Sequence, residues 1–188
     1  MPRPPRFDTD QLLDAAVHLA ATSGPAGVTM AAVAKTVGAP SGSVYHRFPS
    51  RAVLLAEVWL RTVERFQHGY VHALEESPAA AARHVVAWSR THPQEAALLL
   101  YGPHDFGRAD WPPQYARRAN EGNARIRAAL AALAGEDPAA FDRAFLALID
   151  LPLAVVRRHL RAGQPLPAHA ESLAEESATA LLGRAAPS

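Results

Sequence analysis

Residues 29–48, Thr29 to Phe48, read TMAAVAKTVGAPSGSVYHRF, and this stretch decides the fold of the chain. It spells two short helices parted by a tight turn at Gly38, Ala39 and Pro40. Thr29 is a good N-cap for the first, whose apolar Val33 and Val37 lead into Gly38. A glycine there supplies the positive φ that ends a helix, and Pro40 presets the φ that starts the next. The small side chains of Ala31, Ala34 and Ala39 let the two helices cross closely. These features predict a helix-turn-helix over about 29–48, with its second helix offered to the DNA major groove. The plainer reading is an ordinary αα-hairpin with a buried Tyr and Phe.

The exposed chemistry favours DNA. Ser41 and Ser43 are short hydroxyls that can approach bases or phosphates, and Gly42 permits close backbone approach. Tyr45, His46 and Arg47 form a polar cluster after the recognition helix, with Arg51 in the next turn. Tyrosine and arginine are common phosphate anchors.

Working outward, period 3.6 dominates and no run alternates as a strand would. Before the motif, a helix is expected from about Thr9 to Ser23, opened by an Asp8/Gln11 capping box and closed by Gly24. After it, Ser50 caps a long helix that runs toward Pro78, about 27 residues and roughly 40 Å. Further helices follow over about 78–90, 93–101, 114–133, 138–161 and 169–182, the fourth of these kinked at Pro152. GPHDFGRADWPP, residues 102–113, is too rich in Pro and Gly to be helical. The expected fold is all-α. A helix-turn-helix head over 1–50 precedes a second helical domain over 51–188.

Composition narrows the function. Cysteine is absent, which removes disulfide scaffolds, thiolate metal sites and cysteine nucleophiles. No stretch approaches 18 uncharged apolar residues, and the first ten residues lack the apolar core of a secretory signal. A cytoplasmic protein without a membrane span is expected. The net charge of +1 hides an asymmetry. Residues 1–51 carry five basic and three acidic side chains, whereas the remainder carries fourteen and fifteen.

The run from Leu12 to Trp59, LLDAAVHLAATSGPAGVTMAAVAKTVGAPSGSVYHRFPSRAVLLAEVW, resembles the DNA-binding head of the TetR family of transcriptional regulators. LLDAA, Thr29, VAKTVG, GSVYHRF and PSR ahead of LLAEV carry the resemblance, which covers about residues 9 to 60. Gly42, Ser43, Val44 and Tyr45 stand where the family usually has Gly-Thr-Leu-Tyr. The resemblance implies that Thr29, Ser43, Tyr45, His46, Arg47 and Arg51 contact DNA, with Ser41 and Gly42 against the groove. It also implies that the domain over 51–188 is regulatory and dimerising, giving a homodimer on a palindromic operator, released by a small molecule bound in the C-terminal helices. Two departures bear on operator choice. Pro40 replaces the usual Ser or Glu, and Ser41 replaces a longer Lys or Gln. Bidentate guanine readout needs Arg or Lys, which leaves Arg47, or Arg3 and Arg6 in an adjacent groove.

Beyond the head the signals are weaker. Trp88, Tyr101, His104, Trp111, Tyr115 and Phe145 mix aromatic and polar groups around residues 102–113 and read as effector pocket or ordinary core. Phe141, Leu148, Val155, Leu173 and Leu181 read as dimer interface or intramolecular core. Asp150, in ALIDLPLAV, is either paired with Arg157 or His159 or solvated. His68 and His72 have metal-ligand spacing without an evident third ligand, so no metal and no cofactor are expected. No phosphate loop, nucleophile elbow or catalytic carboxylate pair is present, and Ser89 with His92 lacks an orienting group. A regulator answering to a protein partner, and an all-α enzyme, remain the alternatives.

Overall fold

A computed structural model describes residues 8–183. No strand occurs among them. The helices are α1 (Thr9–Ser23), α2 (Met30–Val37), α3 (Ser41–Arg47), α4 (Arg51–Glu76), α5 (Pro78–Thr91), α6 (Pro93–Leu99), α7 (Pro113–Ala134), α8 (Pro138–Phe145), α9 (Leu151–Arg161) and α10 (Ala170–Leu182). Arg3 and Arg6 lie outside the described residues.

The starts of these helices follow from local hydrogen bonding. Asp8 accepts from the Gln11 amide at 2.7 Å while the Gln11 side chain accepts from the Asp8 amide, completing the capping box. Ser50 accepts from the Val53 amide at 3.2 Å, Ser77 from Ala80 at 3.0 Å and Asp137 from Ala139 at 2.9 Å. The capped starts sit where side-chain oxygens can satisfy amides that have no intrahelical partner.

The disturbance expected at Pro152 takes the form of a π-helical turn, Leu146–Asp150, which joins α8 to α9 without a break. Pro152 has no N–H for the carbonyl four residues back, that of Leu148. The buried Tyr70 hydroxyl donates to this carbonyl at 3.4 Å. Burial raises the Tyr70 pKa, which keeps the hydroxyl a donor. Asp150 is exposed, the solvated one of its two expected environments.

The described residues form two compact units. The first takes the chain up to Val63 together with Ala97–Ala119. The three-helix head is thus only part of it, because the first half of α4 buries Leu54, Leu55, Val58 and Trp59 in the same core. Phe106 is fully buried in that core and its ring lies 5.1 Å from that of Trp59. The Trp111 indole N–H donates to the Phe106 carbonyl at 2.8 Å, fixing the irregular segment from within. Arg118 closes on Glu57 at 3.1 Å.

The second unit comprises Glu64–Ala96 and the chain from Asn120 onward. Its core gathers Tyr70, Val85, Val86, Leu130, Leu148 and Val156. Ala81 and Ala82 of α5 share that core with Ala170, Ala174 and Ala178 of α10, so alanine lets helix backbones approach closely. Arg90 ties in the loop before α10 by donating to the Leu166 and Pro167 carbonyls at 2.7 and 3.0 Å and to Glu171.

His84 lies against the Phe66 and Tyr70 rings, with its Nε2 buried and unpartnered. Burial lowers its pKa; a hydrogen bond to the Phe66 backbone raises it, and His92 lowers it again, for a net depression below 6.5. The unfolded imidazole therefore binds a proton that the folded one resists. The stability held by neutral His84 is complete above about pH 6.5 and is lost as pH falls below it. Urea denaturation at pH 7.5 and 5.5 should show this loss, and His84→Gln should reduce it.

Candidate nucleic-acid interface

The turn between α2 and α3 is built by the backbone. Thr29 accepts from the Ala32 amide at 3.0 Å and caps α2. Gly38 is left-handed at φ 68°, and the amides of Gly38 and Ala39 return to the Lys35 and Ala34 carbonyls. This is a Schellman ending, and Pro40 then extends the chain into α3.

Two side chains anchor α3 from below: Val44 is fully buried and Phe48 nearly so. Ser41, Gly42, Tyr45 and His46 are exposed, while Ser43 and Arg47 are half-buried. Tyr45, at 56% exposure, is the most exposed large hydrophobic among the described residues. A helix anchored along one side and bare along the other, on a rigid turn, can lie in a groove and donate hydroxyl and guanidinium hydrogen bonds.

Three of the eight residues that the sequence assigns to DNA also have work within the chain. Thr29 caps α2. Arg47 donates through Nη1 to the Thr9 hydroxyl at 3.2 Å, joining the end of α3 to the start of α1. Arg51 donates through Nε to the Val28 carbonyl at 2.7 Å. Its Nη2 donates to the carbonyls of Pro25 at 2.9 Å and Ala26 at 3.4 Å.

The two glycines of the motif are there for different reasons. A Cβ on either would meet nothing within 4 Å, but only Gly38 has positive φ. Gly38→Val should cost about 1–2 kcal/mol or more through backbone strain alone. Gly42 sits in helical backbone, so Gly42→Ala should stabilise the free protein by up to about 0.5–1 kcal/mol. Thermal melts of both variants read these opposite signs.

The aromatic residues expected to share a pocket divide between the units. Tyr101, His104, Trp111 and Tyr115 belong to the first, Trp88 and Phe145 to the second. Trp111 is core, and Tyr115 lies beside Glu57, with its pKa raised chiefly by burial and then by that carboxylate. Trp88 packs edge-on to Phe66 at 5.3 Å and stacks on His92 at 4.8 Å. Of the interface candidates, Leu148 is wholly buried within the chain. Phe141, Val155 and Leu181 are half-buried, and Leu173 is 41% exposed.

The second unit also holds a cleft of about 730 Å³ that sequence reading missed. Glu64, Gln67, His68, Val71, His72 and Glu75 of α4 line it, facing Gly122, Arg125 and Ile126 of α7. Its signal was present as polar residues every three or four positions along α4, but only two of them, His68 and His72, stood out. Among the described residues no group of three or more His, Cys, Asp or Glu is placed to hold a metal ion. No described helix is long and apolar enough to cross a membrane. Ser89 donates to the Val85 carbonyl at 2.7 Å, and His92 contacts Thr91 and the Trp88 carbonyl, so the two are not paired as nucleophile and base.

Residues 12–58 match the family model described as bacterial regulatory proteins, tetR family. No curated protein matches the sequence. Among solved structures, a transcriptional regulator from Rhodococcus sp. Rha1 is similar with a TM-score of 0.71 and 21% identity, over 96% of this chain and 100% of that one. The fatty acid degradation regulator FadR from Bacillus halodurans is similar at 0.69 and 16%, over 95% and 100%. A TetR transcription regulator from Haloarcula marismortui follows at 0.65 and 16%, over 93% and 96%. The helix-turn-helix head is thus similar to that of the bacterial regulatory proteins of the tetR family, and the fold is shared along nearly the whole chain with these solved structures.

Proposed function

We propose that the protein is a homodimeric repressor that grips the two half-sites of a palindromic operator and releases them when a small molecule binds the second unit. The observation that carries this reading is the bare face of α3, Ser41, Gly42, Tyr45 and His46, on a head anchored by Val44 and Phe48. In this reading Tyr45, Arg47, Ser43 and Thr29 hold phosphates or sugars, Ser41 and His46 approach base edges, and Gly42 lets the backbone come close. The absence of Lys or Arg from the exposed start of α3 shifts sequence choice toward DNA shape and water-mediated contacts.

Dimerisation would use the outer faces of α8, α9, α10 and the π-helical turn between the first two, where Leu146 and Leu173 are exposed. Phe141, Val155 and Leu181 would flank them. The cleft between α4 and α7 has the size of a small-molecule site and joins an apolar floor, Val71 and Ile126, to polar walls. The signal would pass along α4, which is continuous from one unit into the other. An effector must favour the released state by the coupling free energy, typically about 1–3 kcal/mol.

Selecting bound DNA from a random pool and then screening compounds for release tests the whole reading. A palindrome is expected, freed by some compounds and bound by a dimer in light scattering. A chain that selects no DNA overturns the reading. One that selects DNA and releases it to no compound answers to a protein partner instead.

A further inference from the structure

We propose that Arg51 is a positioning residue that sets α2 against α4, and that its contribution to operator binding passes through this brace rather than through a phosphate. The inference rests on the DNA-binding reading above and reassigns one of its residues. Arg51 opens α4, and its guanidinium reaches back 23 to 26 residues to the carbonyls of Val28, Pro25 and Ala26. Those carbonyls belong to the short 3-10 turn Pro25–Gly27 and to the residue that follows it. Thr29, the cap of α2, comes next.

The geometry suits arginine alone. A planar guanidinium directs Nε and Nη2 along one edge, and that edge faces the turn. The Pro25 carbonyl also accepts from the Val28 amide at 3.2 Å, so the guanidinium and the turn share an acceptor. Val28 is wholly buried and Pro25 is buried, which fixes the carbonyls the arginine meets. Removing the fork would leave these carbonyls to water and free the approach to α2. Thr29 and the start of α3 would then meet the groove in a wider range of poses. Such looseness lowers affinity without removing a phosphate contact.

The two roles differ in how salt acts. Each phosphate neutralised contributes about 0.9 to the slope of log affinity on log salt, so a phosphate contact made by both protomers is worth about 1.8. Operator affinity should be measured across a salt series for wild type, Arg51→Lys and Arg51→Gln, at temperatures where circular dichroism shows each fully folded. As a brace, Arg51→Lys loses about tenfold at every salt concentration despite keeping its charge, and both variants keep the wild-type slope. Rescue of affinity by lysine, with a slope flattened by about 1.8 in Arg51→Gln, would overturn the proposal. Hydrogen exchange of free Arg51→Lys supplies an arm that needs no DNA. The Gly27 and Val28 amides, which close the turn onto Gly24 and Pro25, should exchange faster than in wild type, and unchanged exchange also overturns the brace. A wild-type chain that selects no DNA would overturn the DNA-binding reading, while the exchange arm still decides the brace.

Discussion

Phe106→Ala destabilises the protein by about 3–5 kcal/mol, a loss read directly from urea or thermal denaturation. The size follows from where the ring sits. Phe106 is fully buried, 5.1 Å from the Trp59 ring and 6.4 Å from that of Tyr101, and its own carbonyl holds the Trp111 indole. Deleting it removes the transfer free energy of an aromatic side chain and leaves a cavity bordered by Trp59. Were residues 102–113 a loosely packed surface segment, the same substitution would cost less than about 0.5 kcal/mol. A measured loss below about 1 kcal/mol would contradict the buried placement.

Operator affinity should fall by about 500-fold between 50 and 200 mM salt. This corresponds to a slope near −4.5 for about five neutralised phosphates per dimer. Bulk charge alone does not explain such a slope, because residues 1–51 carry a balance of only +2. Placement must supply it. Tyr45 is exposed and carries no structural burden, so Tyr45→Phe should weaken operator binding by about tenfold and leave the melting curve unchanged. Arg47→Gln should flatten the slope by about 1.8 per dimer, with a small stability loss from the broken Thr9 contact. A wild-type slope indistinguishable from zero would contradict DNA binding through this head.

Local sequence is enough to place the helix starts and the turn that carries the motif. The capping box at Asp8, the Thr29 cap, the Gly38 stop and the Ser50 start all lie within about five residues of their partners. Hydrogen bonds that short are properties of local sequence, and residue type alone announces them. The face of α3 was legible for the same reason, since Val44 and Phe48 stand four apart on one side of a helix.

Tertiary structure alone decided the rest. Phe106 belongs to a core because Trp59 comes to meet it from 47 positions earlier, and Leu148 is core because Tyr70 of α4 and Val85 and Val86 of α5 join the same buried cluster. Arg51 looked like any arginine near a DNA-binding turn until the Val28 and Pro25 carbonyls stood in front of it. The cleft between α4 and α7 exists only once two distant helices are side by side. An apolar or cationic side chain has the same composition whether it faces a ligand, a partner or its own backbone. What it faces is set by contacts across dozens of residues, and no local pattern records them.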